Sequence, residues 1–400
     1  MIPRIAVIGT LDTKGPEHAF LAGCIRDHGG EPVLIDVGVL GPPLMAPDHG
    51  REEVLGVAGM ELPGNSDRGS GVATMALALP AFLSRMASQG RIQAAISLGG
   101  GGGTAIATAG MRALPLGFPK IMVTTLASGN VGPYLGTKDI VMFPSIVDVA
   151  GLNRISRGVF RRAAAAICAM AKAESSCNDR TERPLVVASM FGNTTACVTT
   201  AVRHLEAAGM EVLVFHATGT GGQTMENLIA GGQVQGVLDI TTTEWADELA
   251  GGILSAGPHR LEAAGLAGLP TVLVPGCLDM VNFGEPKSVP SRYAKRVFYH
   301  HNPQATLMRT SVQECQELGR IFAEKANDYK GPVTIHLPLR GISMISQPGQ
   351  PFHDPDADTA LFQSIRDHLR QDIPLVASDL AINDEAFALL CADSLLGMMA

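Results

Sequence analysis

From Arg4 to Val37 the chain runs through an apolar segment of strand length, a short Thr-bearing turn, a helix-length segment and a second apolar segment; the same order returns from Leu185 to His216. Such alternation is the pattern of parallel strands joined by right-handed crossovers, and it predicts an α/β fold. In the first half, strands are expected at residues 4–9, 31–37, 94–98, 120–124 and 140–143, with helices at 14–27, 72–88, 104–114 and 152–173. In the second, strands at 185–190 and 211–216 flank a helix at 196–208. The run AAISLGG at Ala94 corresponds to GVLDITT at Gly236, and PKIMVTTLASG at Pro119 to LPTVLVPGC at Leu269.

A chain of 400 residues exceeds the roughly 100–200 usual for one domain. The polar stretch ESSCNDRTERP at 174–184 breaks the apolar pattern and reads as a linker. Two Rossmann-like domains with mostly parallel sheets are therefore expected, at 1–178 and 185–400. Open α/β domains bind ligands outside the carboxyl ends of their strands, so an interdomain cleft is the expected place for a ligand.

Composition narrows the function. One Trp, four Tyr and a formal charge of −8 leave few stacking platforms and little basic surface, so nucleic acid is an unfavoured partner. Seven cysteines without CxxC or zinc-like spacing fit reduced, buried thiols and a cytoplasmic setting. MIPRIAVIGT passes straight into a strand-like run without signal-peptide regions, and no segment approaches the ~20 uninterrupted apolar residues of a membrane helix. A membrane role is not expected.

The strongest local signal is Ser97-Leu98-Gly99-Gly100-Gly101-Gly102-Gly103-Thr104, five glycines between an apolar strand and a helix. Glycine lets backbone approach a ligand, and a helix start presents free N–H groups and a positive dipole end to an anion. Neither the Walker pattern nor GxGxxG is present. Two more strand ends join it. Thr10, Asp12, Thr13 and Lys14 supply hydroxyls, a carboxylate and an ammonium, with Lys14 suited to phosphate and Asp12 to Mg²⁺ or a ribose hydroxyl. Thr125, Ser128, Gly129 and Asn130 supply further donors, and Asn153 could line the wall or open a helix. Helix capping is the competing role for Thr10, Asp12 and Thr13.

The second half has its own polar rim: Gly192, Asn193 and Thr194; Thr218, Gly219, Gly221 and Gly222; Thr242 before Glu244; and Asp279 after Cys277. His216, His300, His301 and His336 could work with Glu244 and Asp279 in acid/base chemistry or at a metal, although no HExxH spacing occurs. Cys277 is a candidate nucleophile, and Asp354, Asp356 and Asp358 have calcium-loop spacing without the later ligands, so they read better as a helix cap.

GTLDTKG at Gly9, SLGGGGGT at Ser97, MFPSIVDVAGLNRIS at Met142, ATGTGGQTME at Ala217 and HNPQATLMRTS at His301 resemble the Tm-one-like ATP-binding proteins over nearly the whole chain. The resemblance implies a homodimer of two Rossmann-like subdomains with ATP on the amino-terminal one. In the plant relative a barrel domain follows, and the amino-terminal region blocks viral RNA replication. This chain ends at Ala400 without a barrel, so antiviral activity is not carried over. A separately encoded barrel protein, similar to phosphoenolpyruvate-handling enzymes, is the partner the resemblance suggests.

The leading expectation is thus ATP binding with Mg²⁺, and phosphoryl transfer to a small anionic metabolite in the cleft. Lys14 would offset phosphate charge, and Glu244, His216 or His301 would act on the acceptor. Two alternatives stand beside it: a non-catalytic, nucleotide-dependent protein-interaction module, and a metal-dependent hydrolase or lyase using the second-domain histidines.

Overall fold

The computed structural model describes residues 2–64, 67–174 and 183–400. Most of the 174–184 linker lies outside them. The chain divides into two compact units, Met1–Arg180 and Thr181–Ala400.

Unit 1 is a five-stranded parallel sheet of β1 (Arg4–Gly9), β2 (Glu31–Asp36), β3 (Ala94–Gly99), β4 (Lys120–Thr124) and β5 (Val141–Pro144). Its strand order is β2-β1-β3-β4-β5. The helices are α1 (Leu11–Asp27), α2 (Arg51–Ala58), α3 (Arg68–Ser88), α4 (Gly101–Arg112), the single turn α5 (Gly132–Leu135) and α6 (Arg154–Glu174). Strands here read as continuous apolar runs because both faces are covered. Ile5 and Val7 on β1 pack with residues of α1 and α6, while Ala6 and Ile8 pack with residues of α3 and α4 on the opposite face. By length and composition α3 could cross a membrane; its Met75, Leu79, Phe82, Leu83 and Met86 side chains are buried in this core.

Unit 2 repeats the plan. Its parallel strands are β6 (Leu185–Met190), β7 (Glu211–His216), β8 (Gly236–Thr241) and β9 (Thr271–Gly276), then β13 (Val333–Pro338) and β14 (Leu375–Ser378). The order β7-β6-β8-β9-β13-β14 is that of unit 1 with a sixth strand added. Between β9 and β13 an antiparallel sheet is inserted, β10 (Met280–Phe283), β11 (Phe298–Asn302) and β12 (Ala305–Arg309), ordered β10-β12-β11. Around the main sheet lie α7 (Thr195–Ala207), α8 (Thr220–Ala230), α9 (Glu244–Ala250), α10 (Ala263–Ala267), α11 (Val312–Asn327), α12 (Pro355–His368) and α13 (Glu385–Met399).

This strand order reverses direction between β1 and β3, and between β6 and β8. At such switch points the loops leaving the two strands diverge and open a crevice. Each unit thus has one place where its topology favours a ligand.

Candidate functional site

At the first switch point the turns after β1 and β3 form a hollow of about 280 Å³, lined by Thr10, Asp12, Thr13, Lys14, Gly99, Gly100, Gly101, Gly102, Gly103 and Asp148, with Arg68, Val72, Val39 and Leu40 alongside. Helix α4 starts at Gly101, not at Thr104. Gly101, Gly102 and Gly103 are therefore the first turn of the helix, with Gly100 as its N-cap, and carry its unpaired N–H groups. Thr104 is corrected from ligand to core: its buried hydroxyl bonds that of Thr124 at 2.7 Å, and its N–H donates to the Gly100 carbonyl.

Nothing in the fold demands most of these glycines. Gly100, Gly101, Gly102 and Gly103 all have negative φ, and a Cβ at any of them would find open space or ordinary contact. Only Gly99 is crowded, against Gly103. Arg68 Nη2 lies about 3.9 Å from where a Gly102 Cβ would stand. Among the described residues, neither the Arg68 guanidinium nor the Lys14 ammonium has an ion-pair or hydrogen-bond partner. A helix start and two unpaired cations face one hollow, an arrangement suited to an anion.

Asp12 is less free than its sequence position suggests. Its Oδ2 accepts N–H bonds from Leu40 at 2.7 Å and Gly41 at 3.3 Å, and so holds the turn after β2. Among the described residues the carboxylate of the exposed Asp148 has no partner. Sequence reasoning gave Asp148 no role of its own and missed Arg68, which stands 31 positions before Gly99 with no motif around it.

Thr125 and Ser128 line a neighbouring hollow of about 570 Å³, with Thr124, Ser145 and Asp148. Asp148 borders both hollows. Gly129 and Asn130 line neither: Gly129 donates to the Leu126 carbonyl, and Asn130 Oδ1 accepts from Gly132. Asn153 is a cap, its Oδ1 accepting from Ile155 and Ser156 at 2.9 Å each.

The Gly-rich turn of unit 2 has a different fate. Gly219 and Gly222 donate their N–H groups to Glu244 Oε1 at 2.8 and 3.1 Å. Arg260 Nε donates to Glu244 Oε2 at 2.6 Å. The anion at the start of α8 is the protein's own carboxylate. Glu244 is buried and fully engaged, which corrects its assignment as an acid or base. The glycines are needed for packing: a Cβ on Gly222 would collide with Glu244, one on Gly221 with the His216 carbonyl, and Gly219 has φ +81 against the Ser255 carbonyl. Gly219, Gly221 and Gly222 are therefore no open rim, and the Thr218 hydroxyl donates to the His216 carbonyl.

This contrast predicts that Gly222→Ala lowers the urea-unfolding stability of unit 2 by about 1–3 kcal/mol through overpacking. Gly102→Ala should leave the stability of unit 1 unchanged or raise it by up to about 1 kcal/mol, since the backbone there already suits alanine.

Other second-unit assignments resolve into structure. Thr194 bonds Thr241 at 2.7 Å and Thr242 bonds the Val274 carbonyl, all buried. Asp279 is fully buried, accepts from Ser343 at 2.7 Å and has its carboxyl pushed up by burial. Cys277 is buried at φ +59 with its thiol pushed well up by burial, the wrong direction for a nucleophile. The other described cysteines are likewise free and buried; Cys177 lies outside the described residues.

His336 is buried, with neither ring nitrogen bonded, and burial lowers its pKa to about 4. His300 and His301 stand exposed on β11, so the proposed histidine metal centre is not assembled. Among the described residues no group of three or more His, Cys, Asp or Glu could hold a metal. Asp354 caps α12 by accepting from Ala357, and Asp358 pairs with Arg309. His216, His301, Gly192 and Asn193 do meet, around a separate cavity of about 370 Å³ in unit 2.

Profiles for the N-terminal and C-terminal domains of the uncharacterised protein family UPF0261 match residues 3–176 and 183–399. A UPF0261 protein of Clostridium tetani is 45% identical over the full length of both chains, and one of Rhizobium meliloti is 47% identical over 96% of each. The ToMV susceptible protein tm-1 of Solanum lycopersicum is 36% identical over 99% of this chain and 56% of its own length. The chain thus spans about half of that tomato relative. Among solved structures, MurG of Acinetobacter baumannii aligns over 99% of this chain and all of its own, at 10% identity and a TM-score of 0.24, too distant to argue from.

Proposed function

The chain belongs to the uncharacterised protein family UPF0261, and we propose that its first unit binds a nucleoside triphosphate, ATP being the first candidate, with the phosphates over Gly100–Gly103. One observation carries the reading: a helix start made of glycines that the fold does not need faces two unpaired cations, while the equivalent glycines of unit 2 are filled by Glu244. Lys14 and Arg68 would balance phosphate charge. The partnerless Asp148 carboxylate would hold Mg²⁺ or a ribose hydroxyl, and the neighbouring hollow with Thr125 and Ser128 offers room for the nucleoside. Mg²⁺ would supply charge neutralisation between phosphate oxygens. Binding is the function proposed; no transfer step is derived through Glu244, whose oxygens are occupied.

Calorimetric titration with ATP and Mg²⁺ tests it. The unmodified protein should bind, and Gly101→Glu should abolish binding while the fold survives, because a Cβ there meets nothing within 4 Å. Removing either cation, by Lys14→Ala or Arg68→Ala, should weaken binding by about ten- to a hundredfold, the worth of a charge-assisted hydrogen bond. Titration of the unmodified protein with no heat of binding, or variants that bind as well as it does, would overturn the reading.

A further inference from the structure

The cavity of about 370 Å³ in unit 2 lies at the second switch point, where the turn after β6 and the end of β7 diverge from β8. Its volume falls at the lower end of the roughly 300–1,000 Å³ typical of small-molecule sites. Two devices build it. The Glu244 clasp closes the Gly219–Gly222 turn, removing a phosphate-type site. The inserted antiparallel sheet then supplies walls over the strand ends: Asn282 and Phe283 come from β10, Tyr299 and His301 from β11, Ala305 and Leu307 from β12.

The strand period explains which residues turn inward. Tyr299 and His301 alternate with the non-lining Phe298 and His300, and Ala305 and Leu307 alternate with Thr306 and Met308. A register shift between His300 and Asn302 marks a bulge beside His301, a device that re-aims side chains. The walls are mainly apolar and aromatic. His216 reaches in from the end of β7, its ring 5.4 Å from that of Phe191. Among the described residues the ring nitrogens of His216 and His301 have no hydrogen-bond or ion-pair partner; the His216 backbone carbonyl is engaged by Thr218. The Asn193 side-chain amide donates only to the Met280 sulfur, at 3.5 Å. Among the described residues no Asp, Glu, Lys or Arg lines the cavity.

We propose that this cavity binds a small organic carboxylate with an aromatic or branched apolar body. The body would fill the space between Phe191, Phe283, Tyr299 and Leu307, and the carboxylate would accept hydrogen bonds from His216 and His301. Imidazole and carboxamide groups can donate to a carboxylate, and the absence of acidic side chains from the lining disfavours a cation. The inference is independent of nucleotide binding, which concerns residues of unit 1 alone.

Benzoate, phenylacetate and isovalerate are the probes, each titrated into the full chain while the two histidine ring resonances are followed by NMR. Benzamide and benzylamine serve as neutral and cationic matches for benzoate. At least one carboxylate should bind saturably and shift both rings, with benzamide about tenfold weaker than benzoate and benzylamine silent. His216→Ala or His301→Ala should each weaken carboxylate binding by about ten- to a hundredfold. Ala305→Phe, which fills the cavity, should remove it with unit 2 still folded by circular dichroism; if that variant unfolds, Gly192→Leu replaces it, since a Cβ at Gly192 meets nothing within 4 Å. No saturable response to any carboxylate, equal responses to benzamide and benzylamine, or binding that survives the histidine and filling variants would overturn the proposal.

Discussion

Replacing Arg260 by Leu is expected to cost unit 2 about 3–5 kcal/mol, a large share of the roughly 5–15 kcal/mol that holds a domain together. The side chain is 1% exposed and binds three carboxylates at once. It meets Asp239 with two nitrogens at 2.6 and 2.7 Å, Glu244 at 2.6 Å and Glu226 at 3.2 Å. These acids come from β8, α9 and α8, so the guanidinium ties together the end of a central strand and two helices. Removing it leaves buried negative charge uncompensated, which is worse than never having built the pair. Ser189, Gly219, Gly222, Leu261 and Ala263 also donate to these carboxylates, which limits the loss without cancelling it.

Two-probe urea unfolding measures the effect. Unit 2 should melt early, while unit 1, whose two core clusters contain only its own residues, keeps its transition. Arg260→Lys should fall between, because an ammonium keeps the charge and loses the fork that grips Asp239. A loss below about 1 kcal/mol for Arg260→Leu would put the network in the class of pairs that contribute little.

The sequence and the structure agree where the physics is local. The strand at 120–124 matches in full, and that at 4–9 likewise, because strands covered on both faces must be apolar along their whole length. The repeat seen between Ala94 and Gly236 proves to be a shared strand order. Agreement fails where a distant partner decides. GGGGG at 99–103 and GTGG at 219–222 look alike as anion loops, and only the fold shows Glu244 filling the second. Thr104 looked like a ligand because it follows the glycines; its hydroxyl faces Thr124, 20 residues on. The inserted sheet has only a faint sequence signal: FYHHN and ATLMR flank the turn at Asn302–Gln304 as a hairpin would, without strict alternation of apolar and polar residues.

The pH dependence of unit 2 tests whether two groups titrate against each other. Asp247 is buried and its pKa is raised by burial from 3.8 to about 7. It therefore binds a proton in the folded state across a range where the unfolded state does not. That contribution is full below about pH 4 and is lost as pH rises through 7. His336 runs the other way. Burial lowers its pKa from 6.5 to about 4, so the unfolded state takes the proton there, and stability is lost as pH falls from 6.5 toward 4. Each group alone would tilt stability by roughly 1.4 kcal/mol per pH unit, with opposite sign. Between about pH 4.5 and 6.5 the two should nearly cancel. Asp247→Asn should make the stability of unit 2 rise with pH relative to the unmodified protein, by roughly 1.4 kcal/mol per pH unit. His336→Leu should make it fall by the same amount, and the double variant should return to the original slope. Reading slopes rather than absolute stabilities removes the pH-independent cost of each substitution, including the loss of the Asn282 bonds to Asp247. Parallel curves for all four proteins would mean that neither group changes protonation on unfolding in this window, and would return His336 to the role of an ordinary core residue.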